Sequence, residues 1–115
     1  WDAALAHHTH LSEEERQAAL TPFQLPDGSE PHWASGPDDA DPQAGKPVSY
    51  GFGWFLDPYH GHARMWHYGE TIGFRTVIER FTQDKLTVII LCNRSDLDAA
   101  ALALKVADVY VDEAK

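Results

Sequence analysis

Residues 66–74 place an imidazole, two glycines and a carboxylate between two apolar, strand-like runs. The imidazole of His67 has the chemistry to hydrogen-bond a carboxylate or to transfer a proton near neutral pH. Gly69 has no Cβ, so another chain or a ligand can approach its backbone closely. His-x-Gly is a short pattern, however, and a simpler interpretation stays open. In that interpretation Gly69 and Gly73 shape a turn between two strands, and His67 is an ordinary half-buried side chain.

The other histidines raise the question of a metal site. His7, His8 and His10 are close in sequence, and His60 and His62 are two apart, so on a strand they would share a face. A zinc site needs three or four converging ligands, usually with cysteine or carboxylate among them, and no known zinc spacing occurs here. We therefore expect no metal and no cofactor.

The single cysteine, Cys92, excludes an internal disulfide. A catalytic thiol is one interpretation of it. Because an apolar run precedes it, we instead predict a buried and unreactive thiol.

The N-terminal half predicts one helix and one long loop. Ser12 and Glu15 have capping-box spacing, so a helix is predicted from Glu13 to about Leu20, ending before Pro22. Residues 26–49 are rich in proline, glycine and aspartate, with Trp33 as the one large apolar side chain before residue 48, and are predicted to form a long irregular loop. Trp33 either stacks on a ligand or pins this loop to the domain.

The C-terminal half predicts strands followed by a helix. Strand candidates are 50–55, 62–66, 74–81 and 85–91, the last two joined by a short hairpin connection. The unbroken apolar run Val88–Leu91 is typical of a strand covered on both faces. A helix is predicted after Ser95 as its cap, with one face formed by Leu97, Ala101, Leu104, Ala107 and Val111.

These elements predict an α+β fold in a single domain over residues 1–115. The predicted architecture is an antiparallel sheet of three to four strands with an N-terminal helix and a C-terminal helix packed on it. A chain of 115 residues with 43% hydrophobic side chains is long enough to bury a modest core.

Charge and hydropathy exclude several classes of partner. The 18 acidic and 9 basic side chains give a net charge of −9, which disfavours binding to nucleic acid or to an anionic membrane surface. No apolar run approaches the roughly 20 residues of a transmembrane helix. The start has no signal-peptide pattern and no initiator methionine, so we expect a piece of a longer protein.

The His67-Tyr68-Gly69 pattern does not stand alone. Gly73-Phe74 leads into the next strand, the aromatic segment 50–54 precedes by one hairpin, and a helix follows Asn93-Arg94. This combination resembles the C-terminal portion of the serine β-lactamase and penicillin-binding-protein superfamily, in its branch of class C β-lactamases, D-alanyl-D-alanine carboxypeptidases and esterases. The resemblance implies a partial β-lactamase/transpeptidase-like fold. It also implies that His67-Tyr68-Gly69 is the family's third active-site motif, Lys-Thr-Gly or His-x-Gly on an edge strand.

The resemblance further implies a substrate-binding wall. An edge strand offers unpaired backbone groups to a substrate amide, lactam or ester. The backbone amide of Glu70 would be one donor of an oxyanion hole, and such a donor contributes about 2.7–4 kcal/mol to transition-state stabilisation. The carboxylate of Glu70 would be solvated rather than act as a general base. The implied substrate-binding residues are His67, Tyr68, Gly69, Glu70 and Thr71.

The reactive half of such a site is absent from this sequence. The family's nucleophile lies in Ser-x-x-Lys, and none of the serines at 12, 29, 35, 49 and 95 has a lysine three residues later. The second motif, Tyr-x-Asn, is also absent. We therefore expect no acyl transfer by this chain alone, and a β-lactam, D-Ala-D-Ala peptide or ester substrate only for the longer protein.

Alternative functions, a cellular location and an association surface are also predicted. One alternative function is a non-catalytic interaction module whose loop 26–49 binds a protein; another is a relative that has lost catalysis. The resemblance implies a periplasmic or secreted protein, with the cytoplasm left open. The strand Thr87–Leu91, without the neighbour that the family's sheet implies, is predicted to self-associate or to be covered by a helix or tail.

Overall fold

The computed structural model describes residues 3, 7, 9–36 and 43–111. The chain forms two compact units, Trp1–Leu56 and Asp57–Lys115. The first contains α1 (Glu13–Ala19). The second contains β1 (Arg64–Thr71), β2 (Phe74–Phe81), β3 (Leu86–Cys92) and α2 (Ala99–Val111). Two helices and a three-stranded antiparallel sheet confirm the predicted α+β class.

The predicted capping box begins α1. The Ser12 hydroxyl accepts a hydrogen bond from the Glu15 amide at 3.1 Å, and the Glu15 carboxylate accepts from the Ser12 amide at 2.8 Å. The helix ends at Ala19, one residue before the predicted end. Both bonds satisfy amides that the first helical turn leaves without an intrahelical partner.

The loop that follows contains little regular structure. Within its described residues, 26–36 and 43–49, no helix or strand forms, and His32 and Pro47 make a single bridge. The Trp33 amide donates to the Lys46 carbonyl at 2.9 Å, and the Trp33 ring lies 5.6 Å from the Phe55 ring. Trp33 therefore anchors the described ends of the loop to one another and to Phe55.

The predicted strand at 50–55 is wrong. Tyr50 and Phe55 make one isolated bridge around a tight turn, in which the Gly51 amide donates to the Trp54 carbonyl at 2.8 Å. Alternation of aromatic residues predicted a strand face, but Phe52 is exposed whereas Trp54 is buried. The turn presses Gly51 against the end of α1, where a Cβ would lie 2.3 Å from the Ala19 carbonyl oxygen. Glycine at position 51 therefore permits the turn to pack closely on α1.

The three strands form a meander in the order β1-β2-β3. The second strand candidate, 62–66, is too short, because β1 continues to Thr71, which pairs with Phe74 across a two-residue turn. Gly73 adopts a φ of 84°, a conformation that glycine adopts without steric cost. The second hairpin pairs Phe81 with Leu86.

Helix α2 covers one face of this sheet. In the core, Val77, Phe81 and Val88 of the sheet pack against one face of α2. The core residues on that face are Ala99, Ala103, Ala107 and Val111. Ser95 is not the cap, because α2 begins later and the Ala101 amide bonds to the Asp98 carboxylate at 2.9 Å. The predicted helix face is accordingly wrong at Ala101, which is exposed.

The opposite face of β3 is not covered within the part of the chain that the structure describes. Val88 is buried, whereas the side chains of Ile89 and Leu91 point to the other face and are 55% and 79% exposed. The expectation of a strand covered on both faces is therefore wrong for this chain. Cys92, at the end of β3, is half-buried rather than buried. In the described residues, no helix is long and apolar enough to cross a membrane.

Candidate functional site

Strand β1 positions all five of the predicted substrate-binding residues. It lies at one edge of the described sheet and pairs with β2 on its other side. Tyr68 pairs with Val77, a core residue beneath α2, so Tyr68 and Glu70 point to the helix-covered face. His67, Gly69 and Thr71 point to the opposite face.

His67 is half-buried, and its ring contacts the backbone of the next residue. Its Nδ1 atom lies 2.7 Å from the Tyr68 carbonyl oxygen. Because a carbonyl oxygen only accepts, Nδ1 donates the proton, and in the neutral ring Nε2 is then the acceptor. The imidazole ring also stacks beside the Tyr68 ring, with centroids 6.0 Å apart.

Gly69 lies against Thr76 of β2. The Thr76 hydroxyl donates to the Gly69 carbonyl at 3.3 Å, and a Cβ at position 69 would lie 2.7 Å from that hydroxyl oxygen. Glycine therefore lets β1 approach the Thr76 side chain, a contact that the sequence alone did not indicate.

Glu70 forms an ion pair with Arg75, a residue that was not among the predicted site residues. Its exposed carboxylate lies 3.5 Å from Nε of Arg75, its direct partner on β2. The Arg75 guanidinium also donates to the Thr71 carbonyl at 3.2 Å. The two-residue turn after Thr71 sets the register in which Glu70 pairs with Arg75. Knowing the length of this turn would have been enough to predict the pair from the sequence. The role of the Glu70 backbone amide stays a prediction.

A polar cluster in which the side chains of Arg64 and Glu79 are buried lies at the start of β1. Arg64 donates to the Glu79 carboxylate at 3.2 Å and to the Asp57 carboxylate, and the Trp66 indole donates to Asp57 at 2.6 Å. The guanidinium also lies 4.8 Å from the Trp66 ring centroid, a cation–π distance. Burial of Glu79 outweighs attraction to Arg64 and raises the pKa of this carboxyl group. The cluster fixes the strand segment that leads to His67.

The remaining histidines do not form a ligand cluster in the described residues. The His62 ring lies 2.9 Å from the Asp84 carboxylate, whereas His60 lies 4.0 Å from Asp108, so the two have different neighbours. No group of three or more histidine, cysteine or acidic side chains suited to a metal occurs among those residues. His8, part of the N-terminal histidine group, lies outside them.

The first compact unit contains a cavity that the sequence analysis did not predict. Its volume is about 750 Å³, and its wall contains no charged side chain. Five aromatic residues contribute to the wall, and two of them, Phe23 and Phe52, are largely exposed; the aromatic lining residues are Phe23, Trp33, Tyr50, Phe52 and Phe55. An uncharged concave surface of this size suits an apolar group.

The helices and the meander define a known class of fold. The chain has a penicillin-binding-protein-like fold, and the predicted likeness is confirmed to that extent. A solved structure that it matches is the crystal structure of a penicillin binding protein from Bacillus halodurans, with a TM-score of 0.58 and 20% sequence identity. The match covers 92% of this chain and 27% of that chain.

The other two comparisons give no match. Neither the protein-family models nor the curated protein sequences contain one. The assignment to the class C branch and the roles of the five residues on β1 therefore stay predictions.

Proposed function

We propose that this chain is the C-terminal part of a β-lactamase-like serine hydrolase that cleaves amide, lactam or ester bonds through an acyl-enzyme. The observation that carries the proposal is the placement of His67-Tyr68-Gly69 on edge strand β1 of a penicillin-binding-protein-like fold. The chain spans 27% of the length of the structure it matches, so the nucleophile and its base belong to an upstream segment.

In the proposed reaction, β1 forms one wall of the acyl-binding pocket. A serine of the upstream segment attacks the substrate carbonyl, and the negative charge that develops on its oxygen is stabilised by the Glu70 amide. His67 contacts the substrate carboxylate or the leaving group, and with Nδ1 donating to the Tyr68 carbonyl, its Nε2 atom is the one to do so. Gly69 and Thr71 shape the backbone edge along which the substrate lies.

The decisive experiment uses the longer protein. Its reading frame should encode Ser-x-x-Lys and then Tyr-x-Asn upstream of Trp1, and the purified protein should be labelled by a fluorescent penicillin or a fluorophosphonate. The 115-residue chain alone should remain unlabelled. A reading frame without these motifs, or one that begins at Trp1, would refute the proposal; a longer protein that carries them but is never labelled would identify a relative without catalysis.

A matched pair of variants tests the role of β1. In the labelled longer protein, His67→Ala should slow acylation by about 10²-fold or more, the usual effect of losing a group that transfers a proton or binds the reacting region. His60→Ala, a change at an exposed histidine in the turn before β1, should leave the rate unchanged. Equal rates for both variants would contradict the assignment of His67.

The aromatic cavity favours a second candidate function. Pro31, Trp33 and Val48 of loop 26–49 form part of its wall, so this loop has a surface suited to an apolar side chain of a protein partner. A module of this kind would bind without catalysis. A pull-down with the 115-residue chain should then recover a protein partner. The Phe23→Ser variant should fail to bind this partner, whereas Ile72→Ser, a control at an exposed residue outside the cavity, should still bind it.

A further inference from the structure

We propose that β1 pairs with a single substrate residue, opposite Glu70, and that the His67–Tyr68 hydrogen bond limits the leaving group to an alcohol or a single amino acid. This selection depends on the proposed function, in which the substrate lies along the outer edge of β1. Peptides that continue beyond one residue after the cleaved bond would be rejected, and His67 is the residue that rejects them.

The register of the β1–β2 hairpin decides which backbone groups of β1 face outward. Thr71 pairs with Phe74 across a two-residue turn, and the closing pair of such a hairpin exchanges both backbone hydrogen bonds. Bonded and non-bonded residues alternate along an antiparallel ladder, so Gly69, like Thr71, bonds to β2. The N–H and C=O groups of Tyr68 and Glu70 therefore point away from β2, toward the outer edge of the sheet.

A hydrogen bond beyond the strand ends has the same phase. The amide of Thr82, the residue after β2, donates to the carbonyl of Ala63, the residue before β1, at 3.3 Å. Position 63 thus bonds to the β2 side, as positions 69 and 71 do. Because these positions are an even number of residues apart, the alternation runs through the whole of β1 without interruption.

The proposed contacts of the substrate set its direction along this edge. The carbonyl oxygen accepts from the Glu70 amide, and the leaving group lies toward His67. In a peptide the leaving group follows the cleaved carbonyl, whereas His67 precedes Glu70 on β1, so the substrate runs antiparallel to β1. The first residue of the leaving group then lies opposite Gly69, and the second lies opposite Tyr68.

The acyl side of the substrate has no second pairing residue on β1. The strand ends at Thr71, and Ile72 and Gly73 form the turn. Gly73, with a φ of 84°, directs the chain back along β2. Glu70 is therefore the last residue of β1 that offers outward-facing N–H and C=O groups to a substrate.

On the leaving-group side, the imidazole of His67 occupies the next acceptor. Its Nδ1 atom lies 2.7 Å from the Tyr68 carbonyl oxygen. A substrate amide that paired with this carbonyl would place its nitrogen about 2.9 Å from the same oxygen. The two nitrogens compete for one oxygen, so a second leaving-group residue can pair with β1 only by displacing the imidazole ring.

A short leaving group avoids this competition. A single residue ends opposite Gly69, whose backbone groups bond to β2, so it requires no hydrogen bond from β1. The leaving group of an ester with a small alcohol is shorter still. The substrates that fit are therefore esters of small alcohols and peptides that lose one C-terminal amino acid.

The kinetics of the longer protein with three donors test this selection. All three have an N-acetyl-D-alanyl acyl group. The leaving group is D-alanine in the first donor and D-alanyl-D-alanine in the second. In the third, an ester replaces the amide within that second leaving group. We expect kcat/KM to be about tenfold higher for the first donor than for the second, the usual effect of one unmade hydrogen bond. The second and third donors should react equally, because the N–H group that distinguishes them has no acceptor.

His67→Ala should slow all three donors and change their relative rates. With the Tyr68 carbonyl uncovered, the preference for the first donor over the second should fall by about fivefold or more, and the second should react faster than the third. His60→Ala, at an exposed histidine in the turn before β1, should keep the preference of the unmodified protein. Equal rates for the first two donors, or a preference that His67→Ala does not change, would overturn the selection by His67 and leave the hydrolase function standing.

NMR of the imidazole nitrogens gives a measurement that does not depend on activity. In the isotope-labelled 115-residue chain, the His67 signals, identified by their loss in His67→Ala, should show the proton on Nδ1 of the neutral ring. A proton on Nε2 would leave no donor for the Tyr68 carbonyl and would overturn the proposal. A longer protein that none of the donors acylates would refute the hydrolase function itself, a result distinct from an altered leaving-group preference.

Discussion

The carboxylate of Glu79 accepts a hydrogen bond from the guanidinium of Arg64 at 3.2 Å, and the two side chains are 0% and 7% exposed. Arg64 also bonds to Asp57, so the guanidinium joins a buried carboxylate on β2 to a partly exposed one before β1. One oxygen of Glu79, Oε1, has no hydrogen-bond partner in the described part of the chain. A buried carboxylate that is only half satisfied is costly to ionise, which is why burial raises its pKa.

The pKa of Glu79 predicts a loss of stability as the pH rises. Its folded value lies above the ordinary value of 4.5, so the folded state binds a proton that the unfolded state has released. This contribution to stability is fully present below the unfolded pKa and is lost as the pH rises through the folded pKa. In urea titrations at a series of pH values, the free energy of unfolding should therefore decline less above pH 4.5 in Glu79→Gln than in the unmodified chain.

Glu70→Gln is the matched control for this measurement, because the Glu70 side chain is 56% exposed. Its pH profile should follow that of the unmodified chain. Superimposable profiles for Glu79→Gln and the unmodified chain would show that Glu79 does not titrate in this window.

Removal of Arg64 should be strongly destabilising. Arg64→Ala leaves the Glu79 carboxylate buried without a partner, and loss of one member of a buried ion pair costs about 3–5 kcal/mol. The cost should be smaller in a Glu79→Gln background, where no buried charge is left unpaired. Chemical denaturation of the single and double variants measures both terms, and Arg94→Ala, at an exposed pair with Asp96, should change little. Equal costs in the two backgrounds would contradict the pairing.

Gly69 and Thr76 should be energetically coupled. A methyl group at position 69 would lie 2.7 Å from the Thr76 hydroxyl oxygen, so Gly69→Ala forces that side chain to move and should cost about 1–3 kcal/mol. Thr76→Ala removes the hydroxyl, and Gly69→Ala should cost less in that background. A double-mutant cycle by urea denaturation gives the coupling free energy between the two positions. A coupling free energy near zero would show that the two residues are not in contact.

The elements with strong local signals were predictable from the sequence. Ser12 and Glu15 specify the start of α1 through hydrogen bonds between residues that are close in sequence. Strand β2 was predicted from its residue pattern at the bounds that the structure has. The segment 50–55 was not predictable, because its conformation depends on contact between Gly51 and the Ala19 carbonyl, which is distant in sequence. Tertiary contact there overrides the aromatic alternation.

The candidate site was predictable as a strand but not as a set of contacts. The family resemblance implied an edge strand for His-x-Gly, and the structure has these residues on β1 at the edge of the described sheet. Arg75 beside Glu70, and Thr76 beside Gly69, follow from the register of the β1–β2 hairpin, which requires the exact length of the turn. The cavity beside Trp33 depends on loop geometry, for which the sequence contains no periodic signal.

Close packing at the end of α1 gives a prediction for the first compact unit. A methyl group at position 51 would lie 2.3 Å from the Ala19 carbonyl oxygen, and that oxygen also accepts a hydrogen bond from the Phe52 amide at 2.9 Å. Gly51→Ala must therefore separate the turn from α1 and lose this bond, at a cost of about 1–3 kcal/mol. Urea denaturation followed by tryptophan fluorescence, which reports on the buried Trp54 in the same turn, measures the change.

Gly36→Ala provides the matched control for this prediction, because a methyl group there has no atom within 4 Å and the residue does not have a positive φ. This variant should unfold at or slightly above the midpoint of the unmodified chain, since alanine restricts the unfolded state more than glycine does. A Gly51→Ala chain that unfolds at the same midpoint as Gly36→Ala would show that the turn at 50–55 does not pack on α1.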